Sequence, residues 1–372
     1  MVVSHGRLTS PAPSDQPHSD QPHRAQPHRA LSQVRVAVRR FLVAHEVAHK
    51  AGRVAVACSG GTDSLALAAA TVHCARRLGV TVHGLVVDHQ LQPGSAGVAR
   101  TAAQVLHRLG CSEVRVLPVT VEGPGGLEAA ARRARYRALR DAAPSGALVL
   151  LGHTLDDQAE TVLLGLGRGS GPRSMAGMRE LDPPWGRPLL GTSRAVTAAA
   201  CDALELVPWV DPHNADSRFR RVRLRTEVLP LLENVLAGGV AQALARTAEQ
   251  LQEDLDVLEE QAGELLAAAL RYPEAQRCPE AQLGEADPEA CLDVTRVPDV
   301  TVLDVAALAR APAALRRRVL RRWLLDAGVA ELTDAHLRAA DDLIGRWSGQ
   351  GALRLPGAVE LVRAQGRLHV SR

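Results

Sequence analysis

The first half of the chain alternates between two hydrophobic patterns. Short runs that are apolar at nearly every position are separated by longer segments in which apolar residues recur every three or four positions. The first pattern is typical of strands buried on both faces, and the second of amphipathic helices. Four strands are predicted: one that begins near residue 53, and then Val80–Val87, Glu113–Val119 and Ala147–Leu151. Four helices are predicted: Leu31–Lys50, a helix that follows the first strand and ends at residue 78, Ala96–Leu109 and Leu127–Asp141. This alternation predicts an α/β fold with a parallel sheet covered by helices on both faces.

The pattern changes after the fourth predicted strand. Residues 165–225 are rich in Gly, Pro and Arg and predict irregular structure, whereas Leu231–Leu270 is long and helical and is expected to be a linker or a packing helix. Residues 271–300 are rich in Pro and Glu and predict a loop. The segments predicted after residue 301 are helices at Val305–Ala309, Ala313–Ala327 and Thr333–Ser348, then a hairpin from Ala352 to Arg363 and a last strand at Arg367–Val370. They predict a smaller, mainly helical α+β domain.

The N-terminal residues 1–30 differ from the rest. Pro-His pairs recur every five residues there among Ser, Asp, Gln and Arg. Such a segment cannot bury enough apolar surface to fold, so a disordered tail is predicted. The predicted organisation is a tail over 1–30, a parallel-sheet α/β domain over 31–236, a helical linker and loop over 237–300, and a C-terminal domain over 301–372.

The junction between the first strand and its helix carries the clearest chemical signal. The apolar run that starts at Val54 ends in Ser59-Gly60-Gly61-Thr62-Asp63-Ser64, and a helical pattern begins at once. Two glycines permit backbone conformations that place successive N–H groups toward an anion, and a helix N-terminus adds positive potential. No G-K-S/T follows, so this is not a Walker loop. The alternative, an ordinary glycine turn, is less favoured by the full S-G-G-x-D-S pattern.

Composition and cysteine usage narrow the class of protein. The chain has 372 residues, a net charge of +3, and a single lysine, Lys50, among its 44 basic residues. Any nucleic-acid surface must therefore be local. The six cysteines include no C-x-x-C pair, which disfavours a zinc ribbon or an iron–sulfur site. No signal peptide and no apolar run near the roughly eighteen residues of a membrane span are present, so a cytoplasmic protein without a membrane partner is predicted.

Polar residues follow the other strand ends as well. Asp88 and His89 come after the second strand, and Gly152 and His153 after the fourth. Ligands of parallel sheets lie beyond the carboxyl ends of strands, so these residues are expected near the glycine loop. Asp88 has the alternative role of capping a turn. Cys58, just before the loop, is expected to be a buried strand residue rather than a nucleophile.

Charged pairs on two helices are further candidates. Arg132 and Arg135 are three positions apart and therefore neighbours on one helix face, where they would clamp phosphate or form a solvated face. Asp156 and Asp157 open a helix, where they would cap its N-terminus or bind an amine. Asp63 at the loop is the predicted partner of Mg²⁺.

The loop belongs to an ordered set of motifs. The loop alone resembles the PP-loop of the N-type ATP pyrophosphatases. The further motifs are V-D-H-Q-L at 87–91, A-R-R-A-R-Y at 131–136, G-H-T-L-D-D-Q-A-E-T at 152–161, R-G-S-G at 168–171, G-M at 177–178, R-P-L-L at 187–190, D-P-H-N at 211–214 and R-R-V-R-L-R at 220–225. In this order and spacing the set resembles the tRNA(Ile)-lysidine synthase family, strongly over residues 50–235 and loosely over the last seventy or so.

The resemblance implies a fold and a reaction. The fold is an adenine nucleotide α hydrolase-like PP-loop domain followed by a substrate-binding domain. ATP would adenylate C2 of the wobble cytidine in the CAU anticodon of tRNA(Ile), and the ε-amine of free L-lysine would displace AMP. The implied ATP-binding residues are those of the loop, Ser59, Gly60, Gly61, Thr62, Asp63 and Ser64. The implied catalytic residues are Asp63, Arg132, Arg135, His153 and Asp157. The family also suggests a homodimer.

Two features qualify this assignment. Many relatives carry a second histidine at the position of Thr154, so His153 alone would serve that role here. The arginines at 220, 221, 223 and 225 are candidate contacts to the tRNA backbone, although a solvated helix face is an equal alternative. The alternatives at the level of function are a tRNA 2-thiolase or an amidotransferase-coupled PP-loop enzyme, and an RNA-binding protein with an inactive ATP fold.

Overall fold

The computed structural model describes residues 27–123, 126–169, 171–211, 216, 218–270 and 302–371. These residues form two compact units. The first contains the described residues up to Thr154 together with Pro183–Asp211, and the second contains Leu155–Asp182 together with the described residues after Asp211. This division differs from the predicted boundary near 237, because the helix after the fourth strand belongs to the second unit.

The first unit is built on a parallel sheet. Its strands are β1 (Arg53–Ala57), β2 (Thr81–Asp88), β3 (Glu113–Pro118), β4 (Leu148–Leu150) and β6 (Trp185–Gly186). Their order is β3-β2-β1-β4-β6, and every adjacent pair is parallel. The predicted parallel α/β sheet is therefore confirmed. Because β1 and β4 lie at its centre, the loop that follows β1 and the segment that follows β4 leave the sheet side by side.

Helices surround this sheet. They are α1 (Pro27–Ala44), α2 (Val47–Lys50), α3 (Thr62–Leu78), α4 (Ser95–Leu109), α5 (Leu127–Ala142) and α8 (Arg194–Asp202). One buried cluster joins Ala55, Leu85 and Val149 of the strands to Leu139 of α5 and to Trp185. Helix α1 starts at Pro27, with Ala30 fully buried, so residues 27–30 do not belong to the tail as predicted. The tail prediction for 1–26 lies outside the described residues.

The second unit combines helices with an antiparallel sheet. Its helices are α6 (Leu155–Arg168), α7 (Pro172–Met175), α9 (Arg220–Arg223), a π-helical turn (Leu224–Val228), α10 (Leu229–Val235), α11 (Val240–Leu270), α12 (Val305–Ala309), α13 (Ala313–Asp326) and α14 (Asp334–Gly345). The strands of this sheet are β7 (Val302–Asp304), β8 (Leu353–Leu355), β9 (Val359–Ala364) and β10 (Arg367–Ser371), and the unit also contains the two-residue strand β5 (Leu181–Asp182), which is not part of this sheet. The antiparallel order is β7-β10-β9-β8, which confirms the predicted hairpin and last strand and adds β7.

One prediction about the middle of the chain is corrected, and an alternative left open there is decided. Residues 165–225, predicted to be irregular, contain α7, α8 and α9. The long helix α11 lies in the segment predicted as a helical linker, with a packing helix as the alternative, and its Leu266 and Ala269 lie in one buried cluster with Trp323, Leu361 and Leu368. The helix is therefore part of the core of the second unit. The predicted loop over 271–300 lies outside the described residues.

None of the described helices is by itself long and apolar enough to cross a membrane. One pair, Arg220–Val235 with Val240–Leu270, meets that test only when the two helices are taken together, and it is bent by 95°.

Candidate active site

The loop after β1 has the geometry of an anion cradle. Gly60 has φ +81°, a conformation that L side chains rarely adopt, and a Cβ there would lie 3.4 Å from the Cβ of Ala102. Helix α3 begins directly afterwards at Thr62, with Gly61 at its N-cap. The N–H groups at the start of α3 and the positive end of its dipole therefore lie at the carboxyl end of a central strand.

Ser64 holds this loop in shape. Its hydroxyl donates to the Gly61 carbonyl at 2.8 Å and accepts from the Ser59 N–H at 3.2 Å. It also lies 3.3 Å from the Ser59 hydroxyl and 3.6 Å from the Cys58 sulfur. Ser64 is buried, so its hydroxyl points into the loop that it stabilises. Of the predicted ATP-binding residues, Ser64 is therefore placed to support the cradle from within.

Cys58 is buried as predicted. Burial is the largest effect on the pKa of its thiol and raises it, although the Ser64 hydroxyl lowers it in part. The thiol is protonated at neutral pH and is a poor nucleophile.

Asp63 contacts two residues that the sequence did not indicate. Its Oδ1 accepts a hydrogen bond from the Thr197 hydroxyl, and its Oδ2 lies 3.4 Å from Nε of Arg194 in an ion pair. Thr197 is fully buried, and its hydroxyl also lies 2.8 Å from the Arg194 carbonyl oxygen. Both residues belong to α8, more than 130 positions along the chain from Asp63.

One face of α8 lies along the first turn of α3. Arg194, Thr197 and Cys201 recur at helical spacing, and the Cys201 thiol donates to the Thr62 carbonyl at 3.3 Å. Burial, together with the charge of Asp63, raises the pKa of Cys201 to about 12, so this thiol stays neutral. Further along, the Trp209 N–H donates to the Gly60 carbonyl at 2.9 Å. The segment from 194 to 209 therefore supports the loop at three points.

A cavity of about 310 Å³ adjoins this support. Gly60 and Leu65 line it from the loop and α3, and Val207 and Trp209 from the supporting segment. The rest of the lining comes from the segment that leads into α4 and from α4 itself, at Gly94, Gly97, Val98, Thr101, Ala102 and Val105. These groups are mostly apolar, as is typical of pockets that bind small molecules.

Gly152 lets the end of β4 approach the loop. A Cβ at this position would lie 3.1 Å from the carbonyl carbon and oxygen of Asp63 and from the Cα of Ser64. These contacts are tight, so a larger residue at this position would press on the backbone of the loop, and glycine allows the close approach. His153 follows immediately and is half-buried, while Thr154 is fully buried. The structure therefore confirms that the ends of β1 and β4 meet, and it places His153 next to that junction.

Arg132 and Arg135, the two arginines predicted on one helix face, both lie near the ring of Tyr136. The guanidinium carbons of Arg132 and Arg135 lie 4.8 and 5.4 Å from the centroid of the Tyr136 ring. Arg132 also donates to the Tyr136 hydroxyl at 3.2 Å, and Tyr136 packs edge-on against Trp185 with 4.6 Å between ring centroids. The two cations are therefore held on one face of α5.

The end of β2 interacts with the same helix. Burial is the main cause that lowers the pKa of His89, and the positive charge of Arg135 lowers it further, against the opposing charges of Asp88 and Asp211. Asp88 is buried, and its Oδ1 accepts from the Gln90 N–H at 3.0 Å in a turn where Gln90 has φ +55°. Of the two roles predicted for Asp88, the structure favours the turn cap.

The acidic motif that starts α6 belongs to the second unit. Asp156 and Asp157 lie in its first turn. Gln158 receives the Met178 N–H at 2.8 Å and donates to the Met178 carbonyl at 2.9 Å, so it fixes the backbone near Gly177. Glu160 is fully buried and pairs with Nε of Arg225 at 2.8 Å. Gln158 and Glu160 therefore stabilise the fold, and the sequence motif alone could not separate them from residues that act in the reaction.

The arginine run at 220–225 separates into two kinds of residue. Arg225 is bound by Glu160, and the Arg223 guanidinium donates to Glu227 at 2.9 and 3.1 Å. Arg220 is exposed and Arg221 is half-exposed, and neither has an ion pair among the described residues. Arg223 and Arg225 are therefore engaged within the protein, whereas Arg220 and Arg221 have no ion pair in the part of the chain that the structure describes.

Asp63 is the carboxylate that would meet a divalent cation at the loop. Among the described residues, no group of three or more His, Cys, Asp and Glu side chains could hold a metal ion. Mg²⁺ in nucleotide sites is commonly held by one or two carboxylates together with phosphate oxygens. The donor set fits a cation that arrives with the nucleotide, and it does not form a metal site made of protein ligands alone.

Comparison with protein families agrees with this geometry. A family model described as a PP-loop domain matches residues 31–232, and one described as a TilS substrate binding domain matches residues 303–369. A solved structure of the U34-tRNA thiolase NcsA from Methanococcus maripaludis is similar in fold, with a TM-score of 0.52, 18% identity, and coverage of 61% of this chain and 80% of that chain. The chain is thus a PP-loop protein that uses ATP.

Relatives define the family more narrowly. Proteins named tRNA(Ile)-lysidine synthase from Rhodococcus jostii and Nocardia farcinica are 52% and 53% identical, covering 91% of this chain and 94% and 98% of theirs. One from Mycobacterium tuberculosis is 52% identical over 87% of this chain and 90% of its own length. The chain belongs to the tRNA(Ile)-lysidine synthase family.

Proposed function

We propose that this chain is a ligase that joins free L-lysine to C2 of the wobble cytidine in the CAU anticodon of tRNA(Ile). The observation that carries the proposal is the glycine loop between β1 and α3, in a chain that is 53% identical to a lysidine synthase over 91% of its length. ATP would be cleaved to AMP and pyrophosphate, and the modified anticodon would pair with AUA.

The first step is adenylation of the cytidine. The C2 oxygen attacks the α-phosphate of ATP, and the bond to the β-phosphate breaks as pyrophosphate leaves. Negative charge grows on the pyrophosphate and on the α-phosphate, where positioned cations and N–H groups lower the barrier. The N–H groups of Gly60–Asp63 suit the pyrophosphate, and Arg132, Arg135 and His153 are the proposed partners of the nucleotide and its α-phosphate.

Magnesium accompanies the nucleotide in this proposal. Asp63 would hold the ion together with phosphate oxygens, and the ion would supply positive charge beside the leaving pyrophosphate. The protein's own part is to orient the Asp63 carboxylate, which the Thr197 hydroxyl does through a hydrogen bond.

The second step joins lysine to the activated base. The ε-amine attacks C2, the bond between C2 and the adenylated oxygen breaks, and AMP carries that oxygen away. The attacking amine must be neutral, so a carboxylate that accepts its proton assists the step. Asp157 in the first turn of α6 is the proposed carboxylate, and Asp156 is the alternative.

We assign contacts with the tRNA to the two arginines of the run at 220–225 that have no ion pair among the described residues, and to the C-terminal domain. Arg220 and Arg221 are the proposed phosphate contacts of the run at 220–225. The proposal also includes a homodimer.

Thiolation is not favoured as the activity. Burial raises the pKa of the thiols of Cys58, Cys111 and Cys201, to about 11 for Cys111 and about 12 for Cys201. These are protonated, enclosed thiols, whereas a sulfur-transferring cysteine needs an accessible thiolate. Cys278 and Cys291 lie outside the described residues.

The decisive experiment measures incorporation of labelled lysine. Purified protein, ATP, labelled lysine and tRNA(Ile) with a CAU anticodon should give labelled tRNA and release AMP. A tRNA(Ile) transcript with a uridine at the wobble position is the control and should take up none. The proposal is wrong if ATP and tRNA bind while lysine stays unincorporated.

A further inference from the structure

Arg194 lies against the carboxylate of the phosphate loop. Its Nε is 3.4 Å from Oδ2 of Asp63, and the two side chains are 27% and 22% exposed. Both groups are therefore partly enclosed yet accessible from solvent. Arg194 is the first residue of α8, and no sequence motif had indicated it.

The position of this arginine is set by the packing of α8 rather than by its own flexible side chain. Thr197, one turn later, is fully buried and bonds Oδ1 of Asp63, and Cys201, a further turn on, bonds the Thr62 carbonyl. Helix α8 thus meets the first turn of α3 along one face. A helix fixed in this way holds the start of Arg194 beside the loop before any ligand binds.

Charge explains why a cation is needed at this point. Asp63 places a negative charge in the first turn of α3, where the N–H groups and the helix dipole would otherwise attract a polyphosphate. A carboxylate there opposes the approach of a highly charged anion unless a nearby cation offsets it. The Arg194 guanidinium provides positive charge there in addition to the magnesium ion proposed to arrive with the nucleotide, and its planar set of donors matches the oxygens of phosphate.

We propose that Arg194 is a phosphate-binding residue of the loop, which Asp63 and Thr197 position to contact the β- and γ-phosphates of ATP. This inference rests on the proposed use of ATP at the loop and adds a residue to that site. The ion pair with Asp63 is then a means of orientation. A purely structural ion pair is the competing explanation, and it predicts an effect on stability alone.

Binding of inorganic pyrophosphate and of ATP tests the assignment. Arg194→Met removes the charge and keeps a long side chain, and calorimetry should show pyrophosphate and ATP affinities reduced by about tenfold or more. Adenosine, which has no phosphate, should bind with unchanged affinity. The matched control is Arg338→Met, since Arg338 pairs with Asp334 on α14 in the second unit; it should bind all three ligands like the wild type. Wild-type affinities in Arg194→Met, or tighter binding, would overturn the proposal.

A second measurement uses the unaltered protein. An arginine-selective dicarbonyl reagent with mass spectrometry should show Arg194 protected by pyrophosphate and Arg338 not protected. Equal labelling of Arg194 with and without pyrophosphate would overturn the proposal even if the methionine variant did not fold. Lysine incorporation by the wild type is scored separately. Its absence, with Arg194-dependent pyrophosphate binding, removes the lysidine assignment and leaves this inference standing.

Discussion

Two stretches of the chain build the phosphate site, and they differ in how visible they are in the sequence. Gly60–Ser64 has an unmistakable pattern, because backbone conformation and a helix start demand particular residues in consecutive positions. The segment from 194 to 209 touches the same loop through Arg194, Thr197 and Trp209, yet its residues are spaced as on any short amphipathic helix. A loop that binds through its backbone is therefore visible as a local sequence motif, whereas the side chains that support it from elsewhere in the chain form no such motif.

The largest effect is expected from Asp63→Ala, which tests the segment Gly60–Ser64. Loss of the carboxylate should reduce AMP formation by about 10²–10³-fold, since it removes an oriented charge at the reacting phosphates. The measurement is single-turnover AMP release with saturating tRNA. Asp256→Ala, which breaks an ion pair with Arg179 in the second unit, is the control and should retain normal release. Unchanged AMP release in Asp63→Ala would remove this carboxylate from the mechanism.

The substitution Thr197→Val tests the segment from 194 to 209, which supports the loop. This change keeps the shape of the side chain but removes the hydroxyl that bonds Oδ1 of Asp63, and such a loss costs about 1–3 kcal/mol. We expect the KM for ATP to rise by about 10- to 100-fold. Thr71→Val is a matched control, because Thr71 is also fully buried but its hydroxyl donates to the Leu67 carbonyl within α3. Equal effects of the two variants would show that Thr197 acts only on stability.

A smaller effect is expected from a methyl group at the turn itself. Gly60→Ala forces alanine into a left-handed conformation, which costs about 1–2 kcal/mol, and places its Cβ against Ala102. ATP affinity should fall by about tenfold as the loop relaxes. Gly191→Ala serves as the control, since a Cβ there meets nothing within 4 Å and the backbone is not left-handed. If both variants bind ATP like the wild type, the loop conformation does not control nucleotide binding.

The smallest expected effects separate the arginines of the second unit. Arg220→Ala and Arg221→Ala should each weaken tRNA binding a few-fold and lower the log–log salt slope by about one. Arg223→Ala should change neither quantity, because Glu227 already binds this guanidinium. Filter binding at several salt concentrations measures both. A loss of affinity confined to Arg223→Ala would reverse this assignment.

Prediction from sequence succeeded where the determinants are local. Periodicity predicted the strands at 80–87 and 113–119 and placed Arg132 and Arg135 on one face of a helix. Consecutive residues predicted the glycine loop. The hairpin of β8 and β9 was found for the same reason. It failed for α8, because Gly, Pro and Arg nearby obscure a nine-residue helix. It left α11 open between a linker and a packing helix, because the core role of this helix depends on distant partners.

The amino-acid pattern was enough to predict that a glycine loop suited to phosphate follows the first strand and that the chain is an α/β protein of the PP-loop class. Those conclusions rest on backbone requirements, which consecutive residues express directly. The tertiary structure alone reveals that Asp63 faces Arg194 and Thr197, that Ser64 points into the loop, and that Gly152 lies close against the backbone of Asp63. These relations join residues up to 134 positions apart, and no local pattern specifies which side chains meet across that distance.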